Sequence, residues 1–291
     1  MAKFGPAGAG DAFSRCHKST VEAPAWLRRQ GLDLLEYQCG RGVRIGRETA
    51  EKIGAQAAEH GILMSVHAPY FINLSSDEPE RRQKNEGYVL QSCQAAQWLG
   101  ADRIVVHCGG LSGRTRAQAL ENSIQGLASI LQAMEDKGFG GLCLCVETMG
   151  KQNVMGSLEE VAAICQSDRR LTPCVDFGHL NARGQGCLQT AEDYLRVLDY
   201  LESALGRPRI ERFHAHFSHI EYGKAGETRH LTFEDEQYGP DFSPCAQALA
   251  ERDLHPRIVC ESAGTQAEDA LAMKQIYRKA LEQKGGEGPT K

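Results

Sequence analysis

The stretch Cys174-Val175-Asp176-Phe177-Gly178-His179-Leu180-Asn181-Ala182-Arg183-Gly184 joins a short apolar run to two side chains of metal-binding type. The apolar residues predict a buried β-strand that ends near Asp176. His179 follows three residues later, and the glycines on either side allow the chain to turn its imidazole back toward the carboxylate. Because an Asp at a strand end is often only a helix N-cap, the meaning of this stretch depends on the other strands.

Similar apolar runs recur along the chain and alternate with longer amphipathic stretches. The eight runs cover residues 3–5, 32–37, 63–67, 103–107, 142–147, 173–176, 212–216 and 257–261. The amphipathic stretches predict helices over residues 47–60, 86–99, 116–137, 157–166, 191–205 and 266–284. Eight strands with interposed helices predict an α/β fold, a single closed (β/α)₈ barrel.

The length and the composition fit one intracellular domain. A barrel takes about 250 residues, and the chain of 291 residues has no linker between its halves. We expect one domain over residues 1–283 and a flexible tail over residues 284–291. The 11 cysteines lie partly inside apolar runs, and neither a signal-peptide core nor a membrane-spanning run is present. We therefore expect a cytoplasmic, monomeric protein with reduced thiols and no membrane partner. A net charge of -5 limits any nucleic-acid site to a local basic patch.

Six of the eight runs end on a side chain that can bind a metal ion. These side chains are His67, His107, Glu147, Asp176, His216 and Glu261. The strand ends of a parallel barrel converge on one face, where barrel active sites are built. Each residue alone could be a helix cap or a packed loop residue. Together they predict a metal site at the C-terminal face of the strands.

The ligand types restrict the metal and the chemistry. Imidazoles and carboxylates without thiolates suit Zn²⁺, and also Mn²⁺ or Fe²⁺. Six convergent groups exceed the needs of one tetrahedral zinc ion, so we expect two or three ions. Clustered ions stabilise both the attacking and the leaving oxygen in phosphoryl chemistry, which favours phosphodiester hydrolysis.

Seven short motifs, in order and at strand ends, resemble the endonuclease IV family of apurinic/apyrimidinic endonucleases, which belongs to the xylose isomerase-like TIM barrels. The motifs are Val66-His67-Ala68-Pro69-Tyr70-Phe71-Ile72-Asn73-Leu74, Val106-His107-Cys108-Gly109-Gly110, Val146-Glu147-Thr148, Val175-Asp176-Phe177-Gly178-His179, His214-Ala215-His216-Phe217-Ser218, Thr228-Arg229-His230 and Cys260-Glu261-Ser262. The resemblance covers nearly the whole chain. It implies a zinc-dependent hydrolase that cleaves damaged double-stranded DNA on the 5′ side of an abasic site during DNA repair.

The resemblance also implies a ligand set for three zinc ions. The set is His67 and His107 for the first ion, Glu147 as a bridge, Asp176, His216 and Glu261 for the second, and His179 and His230 for the third. The chain departs from the family at the third ion, since Thr228 stands where the family has an aspartate. Glu227, one residue earlier and one methylene longer, is the candidate replacement; without it, the third ion would be weak or absent.

For phosphodiester hydrolysis, we expect Glu147 or Glu261 to orient or deprotonate the attacking water. The resemblance further implies that Tyr70 and Phe71 would enter the DNA at the lesion with help from Arg41. The alternative for the two aromatic residues is that they pack a surface loop.

Two other functions remain open. Related barrels that resemble xylose isomerase hold one divalent ion with the pattern Glu, Asp, His and Glu, and Glu147, Asp176, His216 and Glu261 satisfy it equally well. The protein would then be a sugar isomerase or epimerase that moves a proton next to a carbonyl of a small sugar. A catalytically silent, ligand-binding barrel is the third interpretation, which only the departure at Thr228 favours.

Overall fold

Eight parallel strands form the centre of the molecule in a computed structural model that describes residues 1–286. The barrel strands are β1 (Lys3–Pro6), β2 (Leu34–Gln38), β3 (Leu63–His67), β4 (Arg103–His107), β5 (Cys143–Glu147), β6 (Leu171–Asp176), β7 (His214–Phe217) and β10 (Arg257–Cys260). Their spatial order is β1-β10-β7-β6-β5-β4-β3-β2. Each of the eight predicted runs corresponds to one strand, and the predicted (β/α)₈ barrel is confirmed.

The barrel closes between β1 and β2. The amide of Asp33 donates to the carbonyl of Phe4 at 2.8 Å, and the amide of Gly8 donates to the carbonyl of Glu36 at 2.9 Å. Gly5 permits this approach, because a Cβ at that position would lie 1.9 Å from the carbonyl oxygen of Leu34. These contacts join the two edge strands of the sheet and bring the end of β2 beside the other strand ends.

Helices cover the outer face of the barrel. They are α1 (Gly10–Cys16), α2 (Ala23–Arg29), α3 (Arg47–His60), α4 (Pro79–Leu99), α5 (Arg116–Asp136), α6 (Leu158–Ser167), α7 (Phe177–Arg183), α8 (Ala191–Leu205), α9 (Arg207–Ile210), α10 (Phe242–Glu251) and α11 (Gln266–Gly286), with a 3₁₀ turn at Thr20–Glu22. Helix α4 begins earlier than expected because its first two turns are polar and start at a proline, so they carry no apolar periodicity. No described helix is both long and apolar enough to cross a membrane.

Strand alternation divides the core into two parts. Outward-facing residues such as Val106 and Val146 pack against the helices in the main hydrophobic core. Inside the barrel, small side chains such as Val105, Cys145 and Cys174 form a separate buried cluster. All eleven cysteines are free.

Two features lie outside the regular barrel pattern. A hairpin of β8 (Ile220–Gly223) and β9 (Gly226–His230) follows β7 and pairs antiparallel. At the C-terminus, α11 continues through Gly286, so the first three residues of the expected tail are helical. The rest of that tail, residues 287–291, lies outside the described residues.

Candidate metal centre

The nine predicted metal ligands gather at the carboxyl ends of the strands. Their ligand atoms form four overlapping groups within coordination reach of one another; one of these, His67, His216 and Glu261, shares its members with the others, and the remaining three contain all nine residues. The first group is His67, His107 and Glu147; the second is Glu147, Asp176, His216 and Glu261; and the third is His179, Glu227 and His230. The barrel topology explains this convergence, since β3 to β6 each end on one of these residues.

Glu147 lies at the centre of the cluster and joins the first two groups. Its Oε2 atom is 3.2 Å from Nε2 of His67 and 2.9 Å from Nε2 of His107. Its Oε1 atom is 3.1 Å from Nδ1 of His216. Burial alone would raise the pKa of Glu147, but charge interactions with His107 and His216 hold that pKa well below its usual range. Glu147 is therefore an ionised carboxylate with one oxygen directed at each group.

Asp176 contributes to the second group and also begins α7. Its Oδ1 atom accepts a hydrogen bond from the amide of His179 at 2.7 Å, as in a helix N-cap. Its Oδ2 atom is buried, lies 3.3 Å from Nδ1 of His179 and accepts no hydrogen bond from the described residues. An unpartnered buried carboxylate oxygen is costly, and a cation in the second group would satisfy it. Both interpretations of this aspartate, as a helix cap and as a ligand, thus fit the geometry.

Glu261 completes the second group from the residue after β10. Its Oε2 atom lies 3.5 Å from Nδ1 of His216. Burial would raise the pKa of Glu261, and the charge and hydrogen bond of His216 lower it to about 2. The side chain is therefore ionised at neutral pH and available as a ligand or as a hydrogen-bond acceptor.

The hairpin supplies the third group through a β-bulge. Glu221 pairs with Arg229 and Tyr222 pairs with Glu227, so Thr228 is an extra residue in β9. A bulge resets the alternation of a strand and so lets Glu227 and His230, three residues apart, lie in the same group. Thr228 itself is exposed.

Contacts between the hairpin and the loop after β5 hold Glu227 in place. Its Oε2 atom is 3.4 Å from Nε2 of His179, and its amide donates to the carbonyl of Gly150 at 3.2 Å. The hairpin and this loop approach so closely that a Cβ on Gly226 would lie 2.1 Å from the same carbonyl oxygen of Gly150. The position of Glu227 is therefore set by backbone contacts.

Three of the histidines each have one ring nitrogen held by a hydrogen bond outside the cluster. His67 Nδ1 is 2.8 Å from the carbonyl of Ala68, and His179 Nδ1 is 2.9 Å from the carbonyl of Thr148. His230 Nδ1 is 2.8 Å from a serine hydroxyl at position 218. Such partners orient the ring so that the other nitrogen faces the cluster, as is usual for histidines that bind metals. Zinc and similar ions therefore fit this set of donors.

A fully buried carboxylate, Glu36 on β2, lies beneath the cluster and was missed by sequence reasoning. It accepts hydrogen bonds from Nε2 of His214 at 3.0 Å and from the hydroxyl of Ser65 at 2.8 Å. Burial would raise its pKa, but His216 and His214 hold the pKa well below the usual range. Burial also lowers the pKa of His214 to about 4, so that His214 is a neutral donor to Glu36. Of the two histidines on β7, His216 lies between the ligand cluster and Glu36, whereas His214 contacts Glu36.

An open cavity of about 440 Å³ adjoins the metal centre. Its lining includes His107, Lys151 and Glu227 together with the side chains of Tyr70 and Phe71. The two aromatic residues are 59% and 44% exposed, which is unusual for large apolar side chains in this chain. Arg41 is exposed on the neighbouring loop, whose Gly40 carbonyl accepts a hydrogen bond from the Tyr70 amide at 3.3 Å. The expected DNA-contacting residues thus lie at or beside the opening of the site.

Sequence relatives include proteins with and without a stated activity. An uncharacterized protein of Methanocaldococcus jannaschii is 28% identical over 85% of this chain and 88% of its own length. A probable endonuclease 4 of Shouchella clausii is 28% identical over 66% of this chain. The match spans only 61% of that relative.

Solved structures with two different names share this fold. A D-tagatose 3-epimerase-like protein superposes with a TM-score of 0.73 at 18% identity, covering 97% of this chain and 99% of its own. Endonuclease IV from Thermus thermophilus superposes with a TM-score of 0.67 at 22% identity, covering 90% and 94%. At these identities the likeness shows the fold alone. The family model for the xylose isomerase-like TIM barrel matches residues 24–282, and the chain therefore belongs to that family.

Proposed function

We propose that this protein is a zinc-dependent phosphodiesterase that hydrolyses DNA on the 5′ side of abasic sites. The observation that carries the proposal is the third ligand group, His179, Glu227 and His230, outside the four-residue group at the barrel centre. A single-ion isomerase has no use for it, whereas clustered ions suit phosphoryl transfer. The resemblance to endonuclease IV and the relative in Shouchella clausii support the same activity.

The chain's own residues would perform three tasks at this site. The nine ligands would hold two or three zinc ions, which supply Lewis-acid stabilisation of the charge on the attacking and leaving oxygens. Glu261, which is ionised, would accept a hydrogen bond from the attacking water and orient it. Glu147 would link the first two groups and fix the distance between them, since each of its oxygens faces one group.

The exposed aromatic residues would recognise the lesion. Tyr70 and Phe71 contact each other edge to face with ring centroids 5.8 Å apart, and Phe71 also packs on Tyr88. An aromatic pair held in this way can enter a base stack at a position that lacks a base, where unstacking costs least. Arg41 on the adjacent loop and Lys151 in the cavity would contact the phosphates.

Cleavage of a labelled duplex that contains one tetrahydrofuran abasic analogue tests the proposal. The zinc-loaded protein should cut on the 5′ side of the analogue and leave the undamaged duplex intact. The Glu261→Gln variant should lose cleavage while it retains metal, and the exposed surface variant Glu251→Gln should match the wild type. Intact abasic duplex in the presence of bound zinc would overturn the proposal.

A sugar epimerase is the second candidate function, favoured by the second ligand group. Glu147, Asp176, His216 and Glu261 could hold one ion, and two of them are glutamates that could exchange a proton with a sugar carbon. The structural likeness to a D-tagatose 3-epimerase-like protein agrees with it as far as fold is concerned. Conversion of D-tagatose by the protein loaded with one divalent ion, without cleavage of abasic DNA, would establish this function instead.

A further inference from the structure

We infer that Glu36 is a positioning residue that holds His216 with its Nδ1 atom toward the metal centre. The inference rests on the proposed metal centre, because it assigns a task to a residue outside the three ligand groups. Glu36 belongs to none of the ligand groups, and its hydrogen-bond donors among the described residues are Ser65, Gln38 and His214 inside the barrel. It acts through the imidazole of His216.

Both carboxylate oxygens of Glu36 are occupied by neighbours that can donate a hydrogen. The Oε2 atom accepts from Nε2 of His214 and from the hydroxyl of Ser65. The Oε1 atom accepts from Nε2 of Gln38 at 3.1 Å and lies 3.1 Å from Nε2 of His216. A carboxylate offers about four lone-pair directions; three neighbours donate hydrogen bonds to Glu36, and Nε2 of His216 lies close enough to be the fourth.

The position of Glu36 determines which nitrogen of His216 is free. His216 is fully buried, and its Nε2 atom makes no hydrogen bond within the described residues, with the Glu36 oxygen at hydrogen-bonding distance. A small rotation of the ring would align the N–H with that oxygen. A proton kept on Nε2 leaves the Nδ1 lone pair for a metal ion, and Nδ1 already faces Glu147 and Glu261.

A buried carboxylate at the position of Glu36 is energetically unfavourable by itself. Removal of its charge from water is unfavourable, whereas an apolar side chain of similar volume would carry no such penalty. The other oriented histidines, such as His67 and His179, use neutral backbone carbonyls for the same purpose. A charged partner makes the imidazole a stronger donor to a metal ion, which gives the carboxylate a reason to be present at the histidine of the central group.

Glu36 also argues against a separate metal site deeper in the barrel. Cys174, His214 and His216 lie within coordination distance of one another. Glu36, however, occupies Nε2 of His214 and faces Nε2 of His216, and His216 Nδ1 faces the second ligand group. His214 is better explained as a neutral donor that helps to fix the carboxylate.

The Glu36→Gln variant tests the inference, because it keeps the shape and removes an acceptor. All four neighbours donate toward Glu36, so the amide nitrogen of the glutamine must face a donor. Zinc affinity, measured by competition with a chromophoric chelator, should fall about 10- to 100-fold at one of the bound ions, the usual effect of losing such a partner. The matched control is Asp269→Asn. The buried Asp269 carboxylate accepts hydrogen bonds from the amide of Phe233 and the hydroxyl of Thr265, and this substitution should leave zinc affinity unchanged.

Nuclear magnetic resonance of the wild-type protein keeps the inference testable even if the variant does not fold. With ¹⁵N-labelled histidine and bound zinc, His216 should show a protonated Nε2 and a metal-bound Nδ1. Coordination through Nε2, or unchanged affinity in Glu36→Gln, would overturn the inference and leave the proposed function intact. A wild-type protein that binds no divalent ion would instead overturn the proposed metal centre, and the inference with it.

Discussion

Substitution of Gly150 by alanine is expected to remove the third metal ion selectively. A Cβ built on this residue lies 2.6 Å from Cβ of Glu227, 3.0 Å from its Oε2 atom and 3.1 Å from Cδ2 of His179. Carbon atoms in ordinary contact lie at least 3.4 Å apart, so Glu227 would have to move by roughly 0.8 Å or more. The added methyl group thus separates two of the three residues of this group.

The cost of that movement can be bounded. Overpacking by one methyl group in a well-packed region typically destabilises a protein by about 1–3 kcal/mol. We expect unfolding by urea to show a loss in this range, because the amide of Glu227 donates to the carbonyl of Gly150 and the hairpin cannot slide freely. Metal analysis after dialysis should show one ion fewer than in the wild type, with the first two groups still loaded.

Gly223→Ala is the matched control for this substitution. Gly223 lies in the hairpin that carries Glu227, has no described atom within 4 Å of an added Cβ and does not require a positive φ angle. We expect wild-type metal content and stability. If Gly150→Ala also keeps every ion and full stability, the position of Glu227 does not define the third group and the reasoning is wrong.

Three further changes probe the bulge in β9, the exposed aromatic pair and an ion pair outside the metal centre. Thr228→Ala should leave metal content unchanged, because this exposed residue is the extra one in the bulge; loss of an ion would contradict the assignment of Glu227. Tyr70→Ala combined with Phe71→Ala should weaken binding of abasic duplex by about tenfold or more in a gel-shift titration while metal content stays constant, given about 1–3 kcal/mol per stacked base; equal binding would return both residues to a packing role. Glu160→Gln should cost about 1.5–3 kcal/mol in urea unfolding at pH 7, since Glu160 accepts two charged hydrogen bonds from Arg116 at 2.6 and 2.7 Å. Burial raises the pKa of Glu160, but Arg116 and backbone amides hold it below its usual value, so this stabilisation is present above a pH of about 4.3 and is lost as pH falls through the folded-state pKa; a difference from wild type that does not shrink as the pH is lowered below about 4.3 would contradict this account.

The sequence pattern predicted the parts of the site that depend on strand ends. Apolar runs that finish on His67, His107, Glu147 or Asp176 specify both the strand and the side of the barrel on which the polar group lies. That reasoning needs only the period of a strand and the parallel topology. It therefore also predicted that these side chains meet.

Residues whose positions depend on tertiary contacts could not be placed in the same way. Glu36 lies inside β2 rather than at its end, and only the closed barrel brings it to His214 and His216. A Glu between apolar residues in a predicted strand was the available signal for a functional carboxylate. The bulge at Thr228 has no local sequence signature, so the reach of Glu227 remained a question of loop position.

Anomalous diffraction at the zinc edge from crystals of the zinc-loaded protein tests the central claim most directly. The account predicts metal at all three ligand groups, including one ion held by His179, Glu227 and His230. A single ion at Glu147, Asp176, His216 and Glu261, with none at the hairpin, would contradict the phosphodiesterase proposal and favour a sugar epimerase.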